Sequence, residues 1–149
     1  MAFKSYANDQ DLMRAGEYEV YVKDCYETET KNGTECIKFE FVVRGDIEQA
    51  YQNKHKFKQF YRDRETGEWP MEKIGKYANA LGIPKDDEFE LDDLVGRSCV
   101  MAIKHYTTDD GVTKDCIFYL KKSDQEPYIS EGVQFTEMEE DDDGDTLPF

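Results

Sequence analysis

The sequence predicts an all-β domain with a single helix, and three observations lead to this fold class. Apolar and polar residues alternate with a period of two in five separate runs between residues 17 and 121. Two of the gaps between runs contain Asn-Gly or Asp-Gly, which are typical of tight hairpin turns. One segment, residues 69–81, instead has the 3.6-residue period of an amphipathic helix.

The first two runs are predicted to form a hairpin. One parity of each run is apolar: Tyr18, Val20, Val22 and Tyr26 in the first, and Ile37, Phe39, Phe41 and Val43 in the second. A two-residue turn at Asn32-Gly33 places Val22 opposite Val43, Tyr26 opposite Phe39 and Thr28 opposite Ile37, so the apolar faces agree. Asp24 then faces Phe41, and this mismatch predicts a bulge or a bend at Asp24.

The remaining elements follow in order. Residues 55–62 form a third strand, and Pro70 opens a helix that Gly82 and Pro84 end. The apolar stripe of this helix contains Met71, Ile74, Ala78 and Leu81. Strands at 97–106 and 114–121 are joined by a two-residue turn at Asp110-Gly111. That turn pairs Met101 with Leu120 and Ile103 with Phe118.

These elements predict one domain with tails. Residues 1–15 are a lead-in, 16–122 form the domain, 123–136 are a linker that can pack on it, and 137–149 are an acidic tail, disordered by composition. The order β-β-β-α-β-β is that of the OB-fold, a five-stranded Greek-key barrel that binds oligonucleotides or oligosaccharides. The alternative is a helix packed on an open antiparallel sheet, since parity does not give the strand order.

The charge and the cysteines exclude several classes of function. The net charge is −15, and residues 137–149 hold seven acids and no base. The remaining 27 acids still exceed the 19 bases by eight, so nucleic-acid binding requires a local basic patch. Neither a signal peptide nor a membrane span is visible, and the four cysteines lack metal-site spacing, which predicts a cytoplasmic protein with free thiols. We expect no catalytic residues, metal or cofactor, because no catalytic motif is present.

The third strand is the main basic stretch of the chain. One face is predicted to present four cations and an aromatic ring: Lys54, Lys56, Lys58, Phe60 and Arg62. Cations that follow phosphates and rings that stack on bases are what single-stranded nucleic acid requires. The alternatives are a solvated strand face or an edge strand guarded by lysines. Further candidates for DNA contact on neighbouring strands are Tyr21, Lys38, Arg44, Lys104 and Tyr106.

The last nine residues are DDDGDTLPF, an acid run that ends in an apolar trio. This segment resembles the C-terminal tip of bacterial single-stranded-DNA-binding proteins, although Gly144 and Thr146 interrupt the acids and Leu147 stands where that family usually has Ile. The resemblance implies docking of partner enzymes such as helicases, primases, polymerases and recombinases. The residues predicted to bind the partner are Asp141, Asp142, Asp143, Asp145, Leu147, Pro148 and Phe149.

The body carries a second resemblance, through its strand order and the helix that ends in Ala80-Leu81-Gly82. It is similar to an uncharacterised family of phage-encoded proteins found among replication and recombination genes. Together these resemblances imply a phage protein in the bacterial cytosol that binds single-stranded DNA without catalysis. Two alternatives stay open, an acidic DNA mimic that inhibits a nucleic-acid enzyme, and an enzyme of nucleic-acid metabolism on the same barrel.

Overall fold

A computed structural model describes residues 2 and 12–128 of the chain. The predicted order β-β-β-α-β-β is confirmed, with a short 3₁₀ helix at Leu91–Leu94 before the fourth strand. The elements are β1 (Gly16–Glu29), β2 (Glu35–Val43), β3 (His55–Tyr61), α1 (Met71–Ala80), β4 (Ser98–Thr107) and β5 (Thr113–Lys121). The predicted acidic tail and most of the lead-in and linker lie outside the described residues.

The long strand β1 organises the sheet because it pairs with two strands at once. Residues 20–29 pair with β2 and residues 16–21 pair with β4, both antiparallel. The resulting order is β3-β2-β1-β4-β5, the Greek-key order of the OB-fold. The end strands β3 and β5 approach each other, since Lys56 on β3 forms an ion pair with Asp115 on β5. The sheet therefore curls into a partly open barrel.

The predicted irregularity in the first hairpin is confirmed as a bulge. The β1–β2 register shifts between Val22 and Asp24, which leaves Lys23 without an opposite residue. Because the bulge adds one residue, Cys25 points into the core and Tyr26 points outward. The predicted pairing of Tyr26 with Phe39 is wrong, as Cys25 lies opposite Phe39.

Both hairpin turns have three residues rather than the predicted two. The Gly33 N–H donates to the Thr30 carbonyl, and the Gly111 N–H donates to the Thr108 carbonyl, each at 2.9 Å. Both glycines have positive φ, 83° and 86°, as in the three-residue hairpin that ends in a left-handed residue. The added residue changes the register next to each turn, so Thr28 lies opposite Cys36 rather than Ile37.

A second bulge lies on β5. Met101 lies opposite Leu120 as predicted, but Ile103 lies opposite Ile117 instead of Phe118. Phe118 is the extra residue and is 59% exposed. The bulge thus keeps Ile117 in the core while it turns a large aromatic side chain toward solvent.

The helix packs against the core of the barrel through aromatic contacts. Tyr77 of α1 packs edge-on against Phe39 and Phe60, with ring centroids 5.4 and 5.0 Å apart. Ile74 and Ala78 are buried as predicted. Met71 is an exception, because it lies exposed in the first turn. No helix among the described residues is long and apolar enough to cross a membrane.

Met13 is fully buried and belongs to the core, although it precedes the first strand. Its N–H donates to the Asp115 carboxylate at 2.8 Å, and its carbonyl accepts from His105 Nε2 at 2.7 Å. Asp115 therefore joins the segment before β1 to the Lys56 side of the β3–β5 contact. This single carboxylate connects three parts of the chain.

The Asp115 carboxylate is expected to stabilise the barrel only while it is ionised. Burial acts to raise its pKa, but the hydrogen bonds from Lys56 and Met13 and the charges of Lys56 and Lys54 outweigh burial and lower it. Asp115→Asn should reduce the free energy of unfolding by about 1–3 kcal/mol at neutral pH, because Lys56 loses its partner.

The lowered pKa of Asp115 determines how the free energy of unfolding depends on pH. Stability from Asp115 is present above its unfolded-state pKa and is lost as the pH falls through its folded-state pKa. The difference in free energy of unfolding between the natural chain and Asp115→Asn, measured with urea, should therefore be larger at about pH 7 than at about pH 3, below the ordinary pKa of Asp. An unchanged difference at the two pH values would contradict this role.

Candidate nucleic-acid interface

Three half-exposed aromatic side chains lie on the outer face of the sheet formed by β1, β2 and β3. Tyr26 on β1 is 40% exposed, and Phe57 and Tyr61 on β3 are each 50% exposed. The strand registers place Tyr26 across from Lys38 of β2, and Lys38 across from Gln59 of β3. We call Tyr26, Phe57 and Tyr61 the outer aromatic face.

Lys38 lies at the centre of this face. Its Nζ is 4.8 Å from the centroid of the Phe57 ring, within range of a cation–π contact. The Tyr61 hydroxyl donates to Gln59 Oε1 at 2.6 Å, which orients that ring. A cation thus contacts the Phe57 ring and lies next to the ladder positions of the other two rings, an arrangement that can bind a phosphate beside stacked bases.

Two acids also lie on this face, Glu40 on β2 and Asp24 on β1, which lies opposite Glu40 and is exposed. Glu40 is next to Lys38 on the outer side of β2, and its Oε2 is 2.5 Å from His55 Nδ1. The face therefore combines aromatic rings with charges of both signs.

The basic residues of β3 share a parity, as predicted, but this parity faces the core and the β3–β5 edge rather than the open surface. Phe60 is only 5% exposed and packs against Phe39 and Tyr77. Its ring cannot stack on a base. The cause is the β2–β3 register, which puts Phe60 opposite the inward-facing Ile37.

The lysines on the same parity of β3 lie on the side of the strand that faces β5, and not on the open surface. Lys56 is largely buried in its ion pair with Asp115. Lys58 extends along the Phe60 ring, with Nζ 5.4 Å from the centroid. Lys54, just before β3, is half-buried. The predicted row of four open cations is therefore not formed.

The prediction that Arg44 is open to a ligand is wrong, because only 2% of this residue is exposed. Its Nε and Nη2 donate to the Asp46 carboxylate at 3.0 and 2.7 Å. Nη1 is buried without a hydrogen-bond partner among the described residues. This guanidinium is held as part of the loop after β2, where it cannot reach a ligand without movement of its neighbours.

Tyr21 lies on the outer side of β1, but its ring is already covered. The Tyr128 ring stacks on it at 3.8 Å between centroids, with an angle of 5° between the planes. Burial raises the pKa of Tyr21 to about 12, and the nearby Tyr128 and Glu40 act in the same direction. Tyr128 belongs to the segment after β5, where Ser123 also hydrogen-bonds Glu19 at 2.5 Å.

The other predicted contact residues are accessible but apart from the outer aromatic face. Arg62 pairs with Glu35 and lies 5.7 Å from the Trp69 ring. Lys104 and Tyr106 are exposed on β4, on the other side of β1. The predicted partner-binding residues 141–149 lie outside the described residues.

Sequence reasoning missed the three residues of the outer aromatic face. The alternation of apolar and polar residues predicts a buried Tyr26, because it does not give the exact position of the bulge that turns Tyr26 outward. The pattern does not single out Phe57 and Tyr61, because both parities of residues 55–62 contain an aromatic residue. The available signal was the inward parity of Ile37, Phe39 and Phe41, but its use requires the β2–β3 register. The irregular loop at 44–54 hides that register.

No reactive centre emerges from the described residues. No group of three or more His, Cys, Asp or Glu side chains there could hold a metal ion. Burial raises the pKa of the Cys25 thiol to about 12 and also raises that of Cys99, so neither is an activated nucleophile.

The opposite placements of Phe57 and Phe60 give a matched pair of variants. Phe60→Ala should lower the free energy of unfolding by about 3–5 kcal/mol, because it leaves a cavity among packed rings. Phe57→Ala should lower it by about 1 kcal/mol or less, because half of that ring is already in water. Denaturant unfolding of the two variants measures both values, and equal losses would contradict the assigned faces.

Comparison with known proteins places the chain in a family without assigning an activity. No curated protein matches the chain. A family described as "Protein of unknown function (DUF669)" matches residues 3–127, which include every strand and the helix. The chain belongs to this DUF669 family.

Proposed function

We propose that this protein binds single-stranded DNA without catalysis and largely without sequence preference, through the outer aromatic face. The observation that carries the proposal is the placement of three half-exposed rings, Tyr26, Phe57 and Tyr61, around Lys38. In OB-folds the second and third strands bind oligonucleotides, and Phe57, Tyr61 and Lys38 belong to those strands.

The chemistry of the face suits a single strand. Stacking on an aromatic ring contributes about 1–3 kcal/mol per base and accepts any base. Phe57 and Tyr61 are four residues apart on β3, about 13 Å, so they would stack different bases. Lys38 between the rings would pair with a phosphate.

The tail forms the second half of the proposal. Through its resemblance to the tip of bacterial single-stranded-DNA-binding proteins, the DDDGDTLPF segment would bring replication or recombination enzymes to the bound strand. Phe149 would enter an apolar pocket of the partner, and its carboxylate would pair with an Arg or Lys at the rim. The setting we propose is phage replication or recombination in the cytosol of a bacterial host.

A second candidate is an acidic mimic of DNA that binds a nucleic-acid enzyme. One observation favours it: the segment at 86–93 is acidic, and Asp86, Asp87, Glu88 and Glu90 are all exposed. The net negative charge of residues 1–136 agrees with this candidate. The aromatic rings around Lys38 oppose it, because a phosphate mimic has no use for exposed stacking surfaces.

A titration of labelled oligo-dT separates the two candidates. The full chain and a chain that ends at Thr136 should both bind, more weakly at higher salt, and the shorter chain should bind more tightly because it lacks seven competing acids. Absence of binding by both chains would refute DNA binding and favour the mimic.

Replacing the rings tests which face binds. Each of Tyr26→Ala, Phe57→Ala and Tyr61→Ala should weaken oligo-dT binding by about 5- to 150-fold, the equivalent of one lost stacking contact. Tyr106→Ala, which removes a similarly exposed tyrosine on β4, is the matched control and should leave the affinity nearly unchanged. Fluorescence anisotropy measures all four, and unchanged affinity of the three face variants would show that another surface binds.

Removal of Phe149 alone tests the tail. The shortened chain should bind oligo-dT as the full chain does, because the acids remain and only the apolar end is lost. Its binding to purified host helicase, primase, polymerase or recombinase, measured by surface plasmon resonance, should be reduced. Equal partner binding by both chains would contradict the role of the tip.

A further inference from the structure

A second surface combines cations and aromatic rings where β3, β5 and α1 meet. A cleft of about 370 Å³ opens there, which we call the seam cleft. It is lined by Lys58 and Phe60 of β3, by Lys73, Lys76 and Tyr77 of α1, and by Ile117, Phe118, Tyr119 and Leu120 of β5. No ladder of hydrogen bonds joins β3 to β5 within the described residues, so the cleft lies at the open seam of the barrel.

The charge of the seam cleft is opposite to that of the chain. Three lysines line it and no carboxylate does, in a protein with 34 acids and 19 bases. Lys58 and Lys73 form no ion pair with any described residue. Lys76 has only a long contact, 3.8 Å, with Glu72, and both side chains are largely in solvent. An anion would therefore meet cations that are not already neutralised.

The aromatic part of the seam cleft comes from the β5 bulge. The extra residue turns Phe118 and Tyr119 outward together, while Ile117 stays in the core. The Tyr119 hydroxyl donates to Glu17 at 2.6 Å, and Lys104 Nζ lies 4.6 Å from the centroid of the Phe118 ring. An exposed Phe is unfavourable in water, and bulges are frequent at sheet edges and next to active sites, where they redirect side chains.

The seam cleft adjoins the outer aromatic face. Phe57 lies on that face and Lys58, the next residue, lines the cleft. Their Cα atoms are about 3.8 Å apart, and their side chains point to opposite sides of β3. A ligand that crosses β3 passes directly from one surface to the other.

We infer that a single DNA strand longer than the outer aromatic face continues over β3 into the seam cleft. There Lys58, Lys73 and Lys76 pair with phosphates and Phe118 stacks on a base. This inference rests on the proposed function and adds to it a second section of the binding path, with its own residues. It makes the affinity depend on the length of the oligonucleotide.

Two oligonucleotides of different length distinguish binding to the outer aromatic face from binding to the seam cleft. An oligo-dT of about four nucleotides is too short to fill both surfaces, and one of about 16 nucleotides reaches the upper end of the site sizes of OB-folds. The double variant Lys73→Gln and Lys76→Gln should bind the short probe as the natural chain does. For the long probe, the slope of log affinity against log salt should fall by about 1.4, since each phosphate contact on a single strand contributes about 0.7.

Phe118 is tested separately. Phe118→Ala should weaken binding of the long probe roughly tenfold and leave the short probe unchanged, and Phe118→Trp should restore the long-probe affinity. The matched charge control is the double variant Lys85→Gln and Lys122→Gln, because both lysines are exposed and neither lines the seam cleft. Thermal unfolding of every variant verifies that the barrel is intact.

The outcomes separate the inference from the proposed function. Absence of binding to either probe by the natural chain refutes the proposed function. Binding of both probes with no effect of the Lys73, Lys76 or Phe118 changes, or an equal effect of the Lys85 and Lys122 control, overturns the inference alone. Variant effects that occur with both probes, and only when residues 137–149 are present, show that the acidic tail occupies the cleft and also overturn it.

Discussion

The double pairing of β1 is the constraint on which the rest of the structure depends. Its 14 residues hydrogen-bond to β2 along one part and to β4 along another, so the two hairpins must share one curved sheet. The curvature brings β3 and β5 together, where the Lys56–Asp115 pair joins them. Both candidate surfaces follow from this closure, because one is the outer side of the first three strands and the other is the seam itself.

Two bulges decide which aromatic side chains remain accessible. Without the bulge at Lys23, Tyr26 would enter the core in place of Cys25. Without the bulge on β5, Phe118 would enter the core in place of Ile117. In each case a smaller side chain packs inside and a ring is turned to solvent. Both rings belong to surfaces that also carry lysines, which is why we connect the bulges to binding rather than to packing alone.

For the proposed binding of DNA, the local distribution of charge is more important than the net charge of the chain. A net charge of −15 opposes approach to DNA at long range. At short range Lys38 on the outer face and three lysines in the seam cleft lie beside exposed rings. Affinity on such surfaces would depend on stacking as well as on phosphate contacts, so the salt dependence of binding should be modest for a short strand and steeper for a long one.

The sequence by itself determined the order of strands and helix, the position of the hairpins, the bulge near Asp24 and the inward face of Ile37, Phe39 and Phe41, because these depend on local periodicity and turn chemistry. It placed the basic and aromatic residues of 55–62 on one strand but predicted that the parity of Phe60 is the exposed one. Only the tertiary structure decided that Phe60 is buried, that Phe57 and Tyr61 are exposed, and that Lys58 lines a cleft together with residues of α1 and β5. The physical reason is that a side chain's face depends on register, and one added residue in a turn or bulge reverses every face beyond it.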